Sequence, residues 1–79
     1  VKLKTSGEDK INHPKHYTVG SIEVIDFIED KQLNFNKGNV IKYVCRAGVK
    51  DPNEELSDLM KAQWYINREI ERLKKGGHK

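Results

Sequence analysis

Cysteine is almost missing from this 79-residue chain: Cys45 stands alone. One thiol excludes an intrachain disulfide framework and a multi-cysteine zinc site, and it favours a reducing, intracellular setting. Apolar residues are scarce as well, at 35% of the chain against 34% charged, with a mean hydropathy of −0.82. No apolar run approaches the roughly 18 residues of a membrane span. The opening VKLKTSGEDK holds no apolar h-region, so no signal peptide is expected and the protein is assigned to the cytoplasm. Familiar nucleotide loops are lacking too: there is no Gly-x-x-x-x-Gly-Lys-Ser/Thr and no Gly-x-Gly-x-x-Gly. No serine sits in a nucleophile elbow. A chain this short and polar builds a thin core and calls for help from partner chains.

Charge is present in blocks. The net charge is +3, yet residues 32–50 carry four cations and no acid, while the stretches 21–31 and 51–61 on either side are both acidic. A solvated surface does not require that arrangement.

The organisation reads as a disordered lead over 1–10, one helical domain over 11–75, and a frayed tail over 76–79. Residues 11–20, INHPKHYTVG, read as an ordered loop around Pro14. A first helix is expected over about 21–31, capped by Ser21, with Ile22, Val24, Ile25, Phe27 and Ile28 on its apolar face. A second is expected over about 36–47, capped by Asn34 or Asn36 and closed by Gly48, with Val40, Ile41, Val44 and Ala47 as its core stripe. Cys45 reads as a small core residue. The third helix starts from Asp51-Pro52 with Glu54 at its third position and runs to about Leu73. Leu56, Leu59, Met60, Ala62, Ile66, Ile70 and Leu73 line one side, with Trp64 at its edge. Gln63 and Asn67 fall inside that stripe and need partners when buried. The fold class is therefore all-α, three helices with a long C-terminal one, completed by homo-oligomerisation.

Three constellations carry chemistry. Lys42 and Arg46 are one turn apart, with Lys50 near the extension of the ridge. Such a ridge is either a solvated basic face or a phosphate clamp, since Arg offers a planar fork and Lys a point charge. His13, His16 and Tyr17 lie in the loop. Two histidines without further ligands make a weak metal site, and donation to phosphate or stacking on a base suits them better. Glu23 with Asp26, and Glu55 with Asp58, are paired three residues apart, each pair facing one way. On facing helices they would hold a Mg²⁺ arriving with a triphosphate, a spacing similar to that of all-α nucleoside triphosphate pyrophosphatases. The alternatives are a dipole residue for Glu23 and a surface acid pairing with Lys61 for Asp58. No resident cofactor is expected. Basic residues without an aromatic platform give no support for nucleic-acid binding.

The pieces Asn-His-Pro-x-His-Tyr, Gly-x-Ile-Glu-x-Ile-Asp, Gly-Asn-x-x-Lys-Tyr-x-x-Arg-Ala-Gly-x-Lys and Asp-Leu-x-Lys-Ala-x-Trp-Tyr follow one another along the chain. In that combination residues 11–73 resemble a small nucleotide-kinase-like domain widespread in bacteriophages. The resemblance implies a phage or prophage origin and a nucleotide ligand. It marks His13, His16, Tyr17, Glu23, Asn39, Lys42, Tyr43, Arg46, Lys50, Lys61 and Tyr65 as ligand-binding positions, and Asp26 and Asp58 as catalytic ones if phosphoryl transfer occurs. Three functions follow as expectations: nucleotide binding through Lys42 and Arg46, transfer from a nucleoside triphosphate to a monophosphate, or an oligomeric sponge for a host immune nucleotide. A weaker fourth is a protein inhibitor docking on a host enzyme.

Overall fold

A computed structural model describes residues 20–76. The expected loop over 11–20 lies, all but Gly20, outside the described residues, as do the lead over 1–10 and residues 77–79 of the tail.

Among the described residues three α-helices follow one another, α1 (Val24–Asp30), α2 (Phe35–Arg46) and α3 (Glu55–Lys74), and a 3₁₀ turn over Pro52–Glu54 leads into α3. No strand occurs among the described residues. α1 starts later than the sequence suggests. Gly20 turns the chain at φ +91°, and Glu23, still extended, is the residue before the helix. Its carbonyl accepts the first helical bond, from the Phe27 amide at 3.0 Å. Ser21 therefore caps nothing, and the helix is seven residues long.

α1 ends in a Schellman turn. The Leu33 amide reaches back to the Ile28 carbonyl at 3.1 Å and the Gln32 amide to the Glu29 carbonyl at 3.0 Å. This places Gln32 at φ +54°, a left-handed position that glycine would fill without strain. Two residues later Asn34 opens α2, its Oδ1 accepting from the Lys37 amide at 2.9 Å. α1 lies against α2 at Gly38, which is buried; a Cβ there would stand 3.2 Å from Ile28 Cγ2. The absent side chain sets how closely the two helices meet.

Gly48, at φ +80°, follows the end of α2 as expected. The Glu55 carboxyl group packs on it, so close that a Cβ would fall 2.9 Å from Glu55 Cδ. Asp51 Oδ1 accepts from the Asn53 amide at 3.0 Å and Pro52 takes the first turn, which nucleates α3 as its sequence predicts. α3 closes at Lys74, with Gly76 at φ +86° beyond it.

α2 and α3 form an antiparallel hairpin that holds most of the tertiary contact. The face of α3 turned to α2 is the row Asp58, Ala62, Tyr65, Glu69 and Arg72, spaced four, three, four and three residues apart. Only Ala62 is apolar and fully buried among the described residues. The stripe read as core points elsewhere: Leu56, Leu59, Met60, Trp64, Ile66, Ile70 and Leu73 are all exposed. In α2, Val44 and Cys45 are exposed too, although both were expected to be buried. The reason is geometric. A wheel finds an apolar arc but not its partner: α2 meets the middle of the α3 face with Arg46, Tyr43 and Asn36, and its apolar Val40 and Ile41 reach only the flank of the arc, where they line a groove with Ile66 and Ile70.

Gln32→Gly should raise stability by about 0.5–1 kcal/mol, because it relieves the left-handed strain at the α1–α2 turn. Urea denaturation reads this; an unchanged or lower midpoint would contradict the strained turn.

Candidate functional site

The hairpin is fastened by two buried carboxylates on one face of α3, eleven residues or about three turns apart. Asp58 is 2% exposed and Glu69 7%. Buried acids require donors, and α2 provides them in both cases.

At the end nearer the loop, Arg46 donates to Asp58 Oδ1 from Nη2 at 2.9 Å and from Nε at 3.3 Å. The bond from Arg46 holds the Asp58 carboxyl below its usual range, against the opposing effect of burial, and the charges of Arg46, Lys61 and Lys50 add to it. At the other end, Glu69 accepts from Arg72 Nη2 at 2.7 Å and Nε at 3.0 Å, from Asn34 Nδ2 at 2.9 Å and from Asn36 Nδ2 at 3.0 Å. Those donors, Arg72 first, hold Glu69 well below the usual carboxylate range. Arg72 is itself raised by the same bond. Asn34 thus does two tasks, capping α2 and tying it to α3, while Asn36 serves only the tie.

Between the two carboxylates lies an aromatic layer. Tyr43 of α2 and Tyr65 of α3 stack with ring centroids 5.9 Å apart and planes 15° apart. Phe35 and Trp64 meet Tyr65 edge-on at 5.9 and 5.0 Å. Around the Tyr43 ring gather three cations from both helices: Lys42 Nζ at 4.6 Å, Arg46 Cζ at 4.7 Å and Lys61 Nζ at 5.6 Å from its centroid. The negative face of the ring offsets part of their mutual repulsion.

Of the residues singled out from sequence, the fold brings Lys42, Tyr43, Arg46, Asp58, Lys61 and Tyr65 together. Lys50 lies beyond the end of α2, exposed, and its charge is felt by Asp58. Asn39 donates to the Phe35 carbonyl of its own helix at 2.9 Å. Asp26 is exposed on α1, and Glu23 precedes that helix. His13, His16 and Tyr17 lie outside the described residues. The acidic pairs do not make a metal centre on their own: among the described residues, no three His, Cys, Asp or Glu side chains come together. Asp58 is not the surface acid that pairs with Lys61. It is buried and bonded to Arg46, and Arg46 accordingly belongs to the hairpin interior, its side chain 13% exposed.

The Glu69 cluster escaped the sequence reading. Its one local signal was Glu69 with Arg72, three residues apart on a helix. That spacing is common on charged helices, and nothing local connects it to Asn34 and Asn36.

Residues 11–67 match a family described as a protein of unknown function, DUF3310, and the chain belongs to that family. No curated protein and no solved structure matches it.

Two outcomes follow from the buried carboxylates. Arg46→Ala strands Asp58 inside the hairpin and should lower Tm by on the order of 10 °C, although alanine is the better helix former; a change of under a few degrees in thermal unfolding would contradict the placement. Both carboxyls titrate below their unfolded values of 3.8 and 4.5. The unfolded chain therefore binds protons first on acidification. Stability should be level above about pH 5 and fall as pH drops further. Glu69→Gln should lower stability at neutral pH and flatten that acid slope, which a Tm series against pH measures.

Proposed function

We propose that this protein binds a nucleotide by its phosphates, on the face where Lys42, Tyr43 and Arg46 of α2 meet Lys61 and Tyr65 of α3. The observation that carries the reading is the convergence of three cations from two helices on one tyrosine ring. Arg46, Lys61 and Lys50 act on one carboxylate, Asp58, and Lys42 adds its charge beside the Tyr43 ring, so the region keeps an excess of positive charge. A polyphosphate relieves that repulsion and takes several charge-assisted bonds at once.

The residues divide the work. Asp58 fixes Arg46 in place, so the guanidinium adds charge and rigidity. Lys42 and Lys61, on flexible stems, close on the phosphates as point charges. The nucleoside half of the reading rests on the resemblance of residues 11–73 to phage nucleotide-kinase-like domains. The same resemblance supports a phage or prophage origin and a place in the host cytoplasm, with His13, His16 and Tyr17 as further ligand contacts. Among the described residues no helix is long and apolar enough to cross a membrane.

Binding is favoured over phosphoryl transfer by the state of the acids. Asp58 is engaged by Arg46, and Asp26 stands exposed on a different helix. A homo-oligomer belongs to the same proposal, because the protomer leaves most of its large apolar side chains uncovered.

Calorimetric titration with ATP and with inorganic triphosphate tests this. Lys42→Gln and Lys61→Gln should each weaken ATP binding about tenfold with helicity unchanged, since each removes a charged donor from a partly exposed position. Unchanged affinity in both variants would return the ridge to a solvated face. ATP and triphosphate binding alike would show that only the phosphates are read. Diphosphate products from ATP and any nucleoside monophosphate would overturn the preference for binding.

A further inference from the structure

The exposed face of α3 has a regular spacing. Leu56, Leu59, Gln63, Ile66, Ile70 and Leu73 recur at intervals of three, four, three, four and three residues. This is the heptad seam of a helix that packs against another helix. It runs beside the row that faces α2, and two of its members, Ile66 and Ile70, also line an apolar groove with Leu33, Val40 and Ile41. All five of its apolar members are exposed, from 43% for Leu59 and Ile70 to 70% for Leu56. The seam runs about 27 Å along the helix. Isolated exposed leucines need no explanation, but a continuous line of this length marks a contact surface.

We infer that the seam is covered by the same seam of a second copy of this chain, with the two α3 helices antiparallel. The register comes from the sequence. A two-fold axis between Gln63 and Ile66 sets Leu56 opposite the partner's Leu73, and Leu59 opposite the partner's Ile70. Gln63 then meets the partner's Ile66 in the middle layer. Leu56, Leu59, Ile70 and Leu73 are each matched by an apolar residue, as a self-complementary two-fold interface favours. Charge selects the same orientation. Antiparallel pairing in this register brings Glu54 and Glu55 at the start of one helix beside the partner's Lys75 and Lys74 at the end of the other. Parallel pairing would set the glutamates against one another and the lysines likewise. The helix dipoles also oppose favourably only in the antiparallel case. Gln63 in the middle layer fixes register, as a single polar position does in coiled coils.

The inference deepens the homo-oligomer reading by naming its surface and orientation, and its test separates the two. Sedimentation of the whole protein at about 50 μM should show a dimer or a multiple of one, and Ile66→Glu should weaken association on the order of a hundredfold. Because that variant tests folding and association together, orientation is read independently by cross-linking. Leu56→Cys and Leu73→Cys are each made with Cys45→Ser, then oxidised alone and mixed. A cross-linked species in the mixture that is absent from either variant alone is the expected result. Self-cross-linking of Leu56→Cys alone would mean parallel pairing and overturn the inference. Self-association that survives Ile66→Glu unchanged would overturn the seam while leaving the oligomer standing. A monomer at 50 μM would overturn both.

Discussion

A carboxylate removed from water has to be met by donors, and Asp58 is met by Arg46. Much of this small structure depends on that requirement. The pair joins the last turn of α2 to the first turns of α3, across the loop that Gly48 and Asp51 shape at either side. With Arg46 held there, its guanidinium lies over the Tyr43 ring. Tyr43 in turn stacks on Tyr65, and Lys42 and Lys61 fall to the flanks of the same ring. The positive face is thus a by-product of how the hairpin closes. Glu69 repeats the arrangement three turns away with four donors, so α2 is pinned at both ends. Buried ion pairs of this kind set geometry more than they add stability, because desolvation offsets much of the attraction.

The consequence is an unusual division of surfaces. A polar row occupies the middle of the helix–helix interface, and apolar side chains are confined to its flank, where Val40 and Ile41 meet Ile66 and Ile70, or lie outside. The described residues therefore bury little apolar surface against one another, and a chain of this size has few other sources of stability. Association through the open α3 seam would bury the missing area without disturbing the cationic face, which lies on another side of the helix. The two properties proposed for the protein, phosphate binding and self-association, are compatible on geometric grounds.

Punctuation along the chain was the most readable part of the sequence. Asn34, Asp51, Gly48 and Gly76 each mark a helix end for a local reason, and each performs as expected. α1 is shorter than expected because Ser21 has the chemistry of a cap, yet Gly20 and an extended Glu23 place the first helical bond two residues later. The core was misplaced for a non-local reason. Ala62 is the one member of the sequence-read stripe that is buried; Tyr65 gives no strong apolar signal, and Asp58 and Glu69 look like surface acids until Arg46, Asn34 and Asn36 arrive from another helix. Lys42 and Arg46 were visible as neighbours on a helix; that Lys61 and Tyr65 join them depends on the antiparallel register of α2 and α3, which no local spacing encodes.

The central claim is that Arg46, locked by Asp58, organises a phosphate-binding face on which Lys42 and Lys61 close. The most direct measurement is a heteronuclear NMR titration of the whole protein with ATP, following backbone amides, lysine side chains and the Arg46 Nε–H together. The account expects the largest shifts at Lys42, Tyr43 and Lys61, while the Arg46 Nε–H stays in slow exchange with water before and after ligand is added. Shifts confined to α1, or an Arg46 Nε–H that exchanges freely in the unliganded protein, would contradict it.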